Sequence, residues 1–425
     1  MKSINQKVLY LSYDGMTDGL GQSQVLPYLF GLAKKGICIH LISFEKKERA
    51  KDIPRIKELC EDNGVIWHPQ SYTKKPPLFS TIKDIRRMKK VALNLYETIN
   101  FDIIHCRSYI TAIVGRYFQK NKNLKFLFDM RGFWADERIE GGIWNIKQPI
   151  YKKAYQFFKR KELEFFNHAD TIVSLTFNGK NEIESWETVK RPLNIEVIPC
   201  CVDLEHFNPE KIEISATEQI KNQLGIGQDD FVLGYVGSIG TWYMLPEMLD
   251  FYVHLRQQKR KSKFLFLSRE PKKSIIKIAQ EKGIPEEEII VIGTTHNEVP
   301  LYISVFDYSI FFIRPTFSKK ASSPTKQGEL MAMGIPIVCN AGVGDTDKII
   351  MDSSAGKVLY KLDAESYKLC HLDPSKYDKT KIRAGAKKWY SLEDGVNKYY
   401  ETYLRLLGLE NADKNRQSEG EGETE

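Results

Sequence analysis

Ser322-Ser323-Pro324-Thr325-Lys326-Gln327-Gly328-Glu329-Leu330-Met331-Ala332-Met333-Gly334-Ile335-Pro336-Ile337-Val338 encodes a helix start, a short helix and a strand. Ser323 is a fitting N-cap, and Pro324 a fitting first helical residue, since its missing N–H costs nothing there. Gly334 suits the helix C-terminus, and Ile335 to Cys339 has the apolar run of a buried parallel strand. Lys326 breaks the pattern by putting a cation in the first turn, where the helix macrodipole favours anions. A lysine that helps the exposed amides hold a phosphate resolves the conflict. A solvated lysine on an ordinary helix is the other reading.

Two further strands end in glycine-rich turns. Lys7 to Ser12 leads into Asp14-Gly15-Met16-Thr17-Asp18-Gly19-Leu20-Gly21-Gln22, where Gly19 and Gly21 let backbone amides approach a ligand. A helix through Val25, Leu26, Leu29 and Leu32 and a strand over Ile37 to Phe44 follow. Phe231 to Val236 leads into Gly237-Ser238-Ile239-Gly240-Thr241-Trp242-Tyr243. Strand, glycine loop and helix in this order open a doubly wound domain, and no G-x-G-x-x-G directly follows the strand as a dinucleotide fingerprint requires.

Asp102 to Arg107 and Phe126 to Arg138 are apolar strands ending in polar clusters, where ligands sit in open α/β sheets. Arg131, Phe133, Trp134, Asp136 and Glu137 are hard to explain as core filling; a solvated turn is the alternative. His105 is either a site residue or a structural histidine. Arg269 ends another strand, Phe264 to Ser268, and is either a phosphate contact or a surface arginine.

The stretch at 322–338 resembles the nucleotide-sugar site of retaining GT-B glycosyltransferases of the family-4 group. There a glutamate is followed by Ala-Met-Ala-x-Gly-x-Pro-Val-Val or a close variant. Asp129 to Gly142 looks like a signature of members from surface-polysaccharide pathways. Ile195-Glu196-Val197-Ile198-Pro199-Cys200-Cys201-Val202-Asp203 is similar to the family's Val-Ile-Pro-Asn-Gly-Val-Asp segment, which closes the first domain. The resemblance implies an α/β GT-B fold: two doubly wound Rossmann-like domains facing each other across a cleft, with a C-terminal helix crossing back. The expected divisions are an acceptor domain at 1–200, a nucleotide-sugar domain at 201–385, the returning helix at 386–408 and a disordered acidic tail at 409–425.

The implied activity is transfer of a sugar from a nucleotide sugar to a glycan or lipid-linked glycan, with retention at the anomeric carbon and with neither metal nor cofactor. A UDP-sugar is expected ahead of a GDP-sugar. Glu329 falls on the ribose hydroxyls, with Ser323, Thr325, Lys326, Gly19, Gly21, Gly237, Ser238, Gly240 and Arg269 around the donor. Arg131, Asp136, Glu137 and His105 form the catalytic, acceptor-facing set. Besides Cys200-Cys201 in place of Asn-Gly, three positions depart from the family's usual polar set. Ala321 replaces an earlier glutamate that contacts the sugar, and Ser238 and Tyr243 replace an arginine and a lysine on the diphosphate. Lys326, Arg269 and the amides of Gly237 to Gly240 are then the expected counter-charges for the leaving group. A nucleotide-sugar epimerase on the same plan, or a sugar-binding scaffold without catalysis, are the alternatives.

Composition is compatible with this. At 425 residues the chain exceeds what one core supports. With 42% hydrophobic and 28% charged residues it reads as globular. No apolar run nears the roughly 20 residues that span a bilayer, and no signal peptide is expected. Seven cysteines, none in C-x-x-C, predict reduced thiols and a cytoplasmic protein. Cys200 and Cys201 are adjacent, which is poor disulfide geometry. No His/Cys set has zinc spacing.

Residues 1–199 hold 33 Lys and Arg against 22 Asp and Glu, so the excess positive charge lies in that half. It concentrates at 71–90 and at 151–161, where aromatics interleave the cations. Such faces suit an anionic membrane surface or a phosphate-linked acceptor, with a plain solvated face as the alternative. No nucleic-acid motif accompanies them, and no nucleic-acid partner is expected.

Overall fold

The structure, a computed structural model, describes residues 6–190, 192–259 and 261–410. Nearly all of the expected acidic tail, 411–425, lies outside them. The chain divides into two compact units, one from 1–198 with 392–425 and the other from 199–391.

The first unit carries a seven-stranded sheet: β1 (Lys7–Ser12), β2 (Cys38–Glu45), β3 (Val65–Ser71), β4 (Ile103–Arg107), β5 (Lys125–Asp129), β6 (Thr171–Ser174) and β7 (Ile195–Val197). The order across it is β3-β2-β1-β4-β5-β6-β7, and every pairing is parallel. The inner strands β1, β4, β5 and β6 are mainly apolar and buried on both faces, as helical crossovers require of a parallel sheet. Each fully buried Val, Leu, Ile or Phe contributes about 1.5–3 kcal/mol relative to exposure. The order reverses between β1 and β4, and at such a switch point two helices diverge and leave a crevice above the strand ends. Register puts Ser12 beside Arg107 and Arg107 beside Asp129, so the ends of β1, β4 and β5 are level.

The second unit carries six parallel strands: β8 (Phe231–Val236), β9 (Ser262–Leu267), β10 (Ile289–Ile292), β11 (Tyr308–Phe311), β12 (Ile337–Asn340) and β13 (Gly356–Leu359), in the order β10-β9-β8-β11-β12-β13. Its switch point lies between β8 and β11. The helix Lys379–Tyr390 stays with this unit, packed on the helix Thr325–Ala332. The helix Leu392–Leu407 belongs to the first unit and packs on Leu26–Lys34, burying Val396, Tyr399, Tyr403 and Leu404.

Local details differ from the sequence reading. The helix expected through Val25 is two, Gly19–Gln24 and Leu26–Lys34, because Val25 leaves helical geometry. Gly19 and Gly21 therefore lie in a helix and not in a turn. A Cβ on Gly21 would meet the Gly15 carbonyl oxygen at 2.3 Å, so that missing side chain admits the chain's own backbone. The segment after β5 is not all loop: Trp134–Glu140 is a seven-residue helix. Pro324 is the N-cap of its helix rather than the first turn, and the Ser323 hydroxyl instead accepts a bond from the Cys200 amide at 3.1 Å.

Candidate functional site

At the switch point of the second sheet, the end of β8 and the start of helix Thr325–Ala332 bring together the most unusual group in this unit. The Lys326 side chain is 7% exposed, and its Nζ makes no hydrogen bond with any described residue. It lies 3.5 Å from the centre of the Tyr243 ring and 4.0 Å from that of Tyr235. Desolvated cation–π contacts of this kind are worth about 2 kcal/mol, and they hold the ammonium in place without consuming its protons. Gly237, at φ +103°, lets the chain pass over it: a Cβ there would stand 3.5 Å from Nζ.

Glu329, one turn further along the helix, is half-buried and is paired electrostatically with Lys326. Burial pushes the Lys326 ammonium well below its ordinary range, against the pull of Glu329. Burial likewise raises the Glu329 carboxyl to about 7, against the pull of Lys326.

The surroundings fix this pair. Gly334, at φ +70°, ends the helix in the left-handed conformation, its amide bonding to the Met331 carbonyl and that of Ile335 to Leu330. Arg383 donates to the Ala332, Phe207 and Leu204 carbonyls, tying the helix end to the unit. The loop after β8 is pinned from the other side, where Met244 N–H bonds to the Phe312 carbonyl and Arg314 N–H to that of Trp242. Lys319 lies 3.7 Å from the Trp242 ring centre, a second cation on an aromatic face of the same loop.

The sequence-derived donor residues fall unevenly around this pair. The Gly237 amide is already bonded to the Leu267 carbonyl at 2.9 Å, so it is not available to an anion. Those of Ser238, Ile239 and Gly240 make no such bond among the described residues, and Ser238 and Gly240 are exposed. Thr325 and Lys326 likewise present open amides at the helix N-terminus, the geometry that suits a phosphate. Arg269 is exposed beyond β9, one strand away from the switch point, with a 3.5 Å contact to the Thr294 carbonyl. Ala321, where the resembling family has its earlier glutamate, is fully buried.

The first unit has its own cluster at the ends of β1, β4 and β5. Asp129 is buried, and its Oδ2 accepts from the Tyr399 hydroxyl at 3.1 Å. The same oxygen lies 3.7 Å from Arg131 Nη1 and 3.7 Å from His105 Nε2. His105 Nδ1 is 2.7 Å from the Tyr403 hydroxyl. Burial opposes the charge on Asp129, but Arg131, His105 and Arg107 together hold it below the usual carboxylate range. Burial pushes His105 down against the pull of Asp129. Arg131 sits at φ +58°, a left-handed backbone that is uncommon for arginine and is held here by its pairing with Asp129.

Asp136 faces the helix Pro149–His168, accepting from the Tyr155 hydroxyl and Lys159 Nζ, both at 2.8 Å. Lys159 also pairs with the buried Glu162. Glu137 stands on the same short helix, half-buried. His105, Arg131 and Asp129 are thus brought together, while Asp136 is engaged elsewhere. The sequence reading passed over Asp129, Arg107, Asp14, Tyr399 and Tyr403. An arginine or aspartate as the last residue of an otherwise apolar buried strand was the available signal for two of them. Among the described residues, no three His, Cys, Asp or Glu side chains gather as a metal site needs.

The architecture is the GT-B type of α/β fold, two parallel-sheet units in one chain. Residues 28–206 match the family model described as Glycosyltransferase Family 4. Compared by sequence, no curated protein matches the chain. Compared by structure, it is similar to sucrose-phosphate synthase of Thermosynechococcus elongatus at 15% identity and a TM-score of 0.70, covering 95% of this chain and 100% of that one. It is similar to HepE of Anabaena, solved with UDP and glucose, at 15% identity and 0.65, covering 94% and 99%. A protein of Listeria monocytogenes described as a UDP-N-acetylglucosamine 2-epimerase is also similar, at 12% and 0.56, covering 94% and 96%.

Proposed function

We propose that this protein is a retaining, metal-independent glycosyltransferase that moves a sugar from a nucleotide sugar, a UDP-sugar ahead of a GDP-sugar, to a glycan or lipid-linked glycan of the cell surface. The observation that carries this is Lys326. It is a buried ammonium with no hydrogen-bond partner among the described residues, beside a half-buried carboxylate, at a switch point lined with open amides. Leaving-group phosphates need positive charge or aligned amides as the glycosidic bond breaks. Lys326 and the amides of Ser238 to Gly240 supply both. The Tyr243 ring, at the position where the resembling family has a lysine, holds the relocated cation. Glu329 accepts the two ribose hydroxyls. In this mechanism the leaving phosphate assists the incoming hydroxyl on the same face of the sugar, so no protein nucleophile is required.

The fold is shared by an epimerase, so the test must separate the two. Purified protein is incubated with UDP- and GDP-sugars without acceptor, and nucleotide binding is followed by thermal shift. A transferase releases nucleotide slowly, and an epimerase interconverts the sugars. A protein that binds none of UDP, GDP, ADP or CMP is neither.

The acceptor side is proposed to work at the inner face of the plasma membrane. No helix among the described residues is long and apolar enough to cross a bilayer. The helix Phe79–Thr98, however, exposes Phe79, Ile82, Lys83, Arg86 and Lys90, at positions three to four apart and hence along one stripe. Apolar residues among cations on one helix face suit the headgroup layer of anionic lipid. Reversing Lys83, Arg86 and Lys90 to glutamate is expected to abolish flotation with phosphatidylserine vesicles and leave UDP binding unchanged, since each such cation contributes about 1 kcal/mol. Flotation that survives the reversal refutes membrane docking.

A further inference from the structure

We propose that Arg107 anchors an anionic group, phosphate or carboxylate, on the sugar acceptor, and that Asp14 fills that anion's place until the acceptor arrives. The inference rests on the transferase reading, because it gives the first unit an acceptor to hold.

Arg107 closes β4 at the switch point of the first sheet, level with Ser12 and Asp129. It is 3% exposed, yet its guanidinium is poorly served. Nε lies 3.3 Å from Asp14 Oδ2, and Nη1 is buried with no hydrogen-bond partner among the described residues. A guanidinium offers five N–H donors in a planar fork and binds carboxylate or phosphate best through two parallel bonds. Burying it with one long contact and an unmet donor is costly. A doubly accepting anion along the Nε–Nη2 edge replaces the single long contact at Nε with two parallel bonds.

Asp14 has the features of a placeholder. Its side chain is 46% exposed, so it can swing into water at little cost, whereas Asp129 is locked by Tyr399, Arg131 and His105. Arg138, on the short helix Trp134–Glu140, also acts electrostatically on Asp14. Asp14 thus touches one guanidinium and feels the field of a second. Arg107, Asp129, Arg131 and Asp14 all act electrostatically on the buried Tyr10 hydroxyl. An incoming phosphate or carboxylate takes the Arg107 edge, and the freed Asp14 carboxylate passes to solvent.

The experiment titrates full-length protein calorimetrically with glucose 6-phosphate, glucuronate and glucose, with UDP titrated in parallel. The wild type is expected to bind at least one anionic sugar about tenfold more tightly than glucose. Asp14→Asn removes the competing charge and is expected to tighten that binding severalfold. Arg107→Gln is expected to abolish the preference over glucose, with folding checked by circular dichroism. Preference for glucose 6-phosphate assigns a phosphate-bearing acceptor, and preference for glucuronate a uronic acid. Asp14→Asn sits at an exposed side chain and decides the matter even if Arg107→Gln does not fold. Unchanged or weaker anion binding in Asp14→Asn, or equal affinity for all three sugars, overturns the proposal. Loss of UDP binding in the wild type would instead strike the donor reading, so the two failures are distinct.

Discussion

The two switch points carry similar side chains in opposite states. In the first sheet, Asp129 has a tyrosine hydroxyl, an arginine and a histidine around one oxygen, and His105 has Tyr403 on its other side. In the second, Lys326 and Glu329 feel each other's field, but neither side chain makes a hydrogen bond with a described residue. Asp129 is accordingly held below its ordinary pKa and Glu329 above. Asp129 Oδ1 has no hydrogen bond among the described residues, but Oδ2 has a hydroxyl and opposite charges in place, and a buried charge compensated in this way serves the fold. One whose bonds are unmade costs the fold and favours a ligand that completes them.

The largest expected effect tests the first half of this contrast. Asp129→Ala leaves Arg131 buried without its carboxylate, and breaking such a pair costs about 3–5 kcal/mol. Urea unfolding is the measurement. Because Asp129 is depressed in the folded state, its contribution is present above the ordinary carboxylate pKa and is lost as pH falls through the folded value. The difference between wild type and variant is therefore expected to shrink in acid. A variant as stable as the wild type at pH 7 shows that the cluster is not structural.

The second effect tests the other half. Lys326→Ala is expected to lower transfer about 10²–10³-fold, the usual loss when a leading electrostatic stabiliser of the leaving group is removed. Its stability is expected to change by less than about 2 kcal/mol, because loss of the cation–π contacts is offset by relief of a buried charge that makes no hydrogen bond among the described residues. Lys326→Arg is not expected to rescue it, because a longer, planar guanidinium stacked on Tyr235 and Tyr243 presents its donors away from the point the compact ammonium occupies. Full activity in Lys326→Ala removes the residue from the chemistry.

The difference between the clusters also governs what could be read from the chain. Strands such as Ile103–Arg107 and Lys125–Asp129 are legible because a parallel sheet buried on both faces demands uninterrupted apolar residues. Lys326 is legible because a cation in a first turn violates a local rule. The helices Gly19–Gln24 and Trp134–Glu140 are not, since six or seven residues are too short for a 3.6-residue period to show. Nor is the Asp129 cluster: Tyr399 lies 270 positions away and reaches it through the fold, so no spacing announces the bond. The cage on Lys326 was split in the same way, with Tyr235 and Tyr243 on a strand and loop roughly eighty to ninety positions upstream. What the chain displays is the residue; what closes around it comes from topology.

Glu329→Gln comes third. A carboxylate on two ribose hydroxyls makes charge-assisted bonds, and losing the charge is expected to weaken UDP binding by about 1–3 kcal/mol. Its protonation sets the pH dependence as well. With the carboxyl raised to about 7, UDP affinity in the wild type is expected to fall as pH drops through that value. As pH rises the affinity is expected to fall again when Lys326, depressed by burial, loses its proton. The acid limb should vanish in Glu329→Gln and the alkaline limb persist. Titrations at five or six pH values distinguish this from a flat profile, which would take both groups out of the nucleotide site.

The smallest effect is the sharpest, because its sign is opposite to that of Asp129. Glu329 titrates higher in the folded chain than its ordinary value of 4.5, so the folded state binds the extra proton between roughly that value and about 7. Stability therefore falls as pH rises through this window, and the cost is fully present above it. Glu329→Gln removes the cost without changing the side chain's size, and a gain of about 1 kcal/mol corresponds to about 2–4 °C in Tm for a unit of this length. The variant is expected to melt higher than the wild type at pH 8 and at the same temperature near pH 4.5, while binding UDP more weakly throughout the neutral range. A lower Tm at pH 8 would mean that the carboxylate already has partners that stabilise its charge, and the contrast between the two switch points would collapse. A higher Tm with weaker nucleotide binding would place Glu329 among residues kept for a ligand at the expense of the fold.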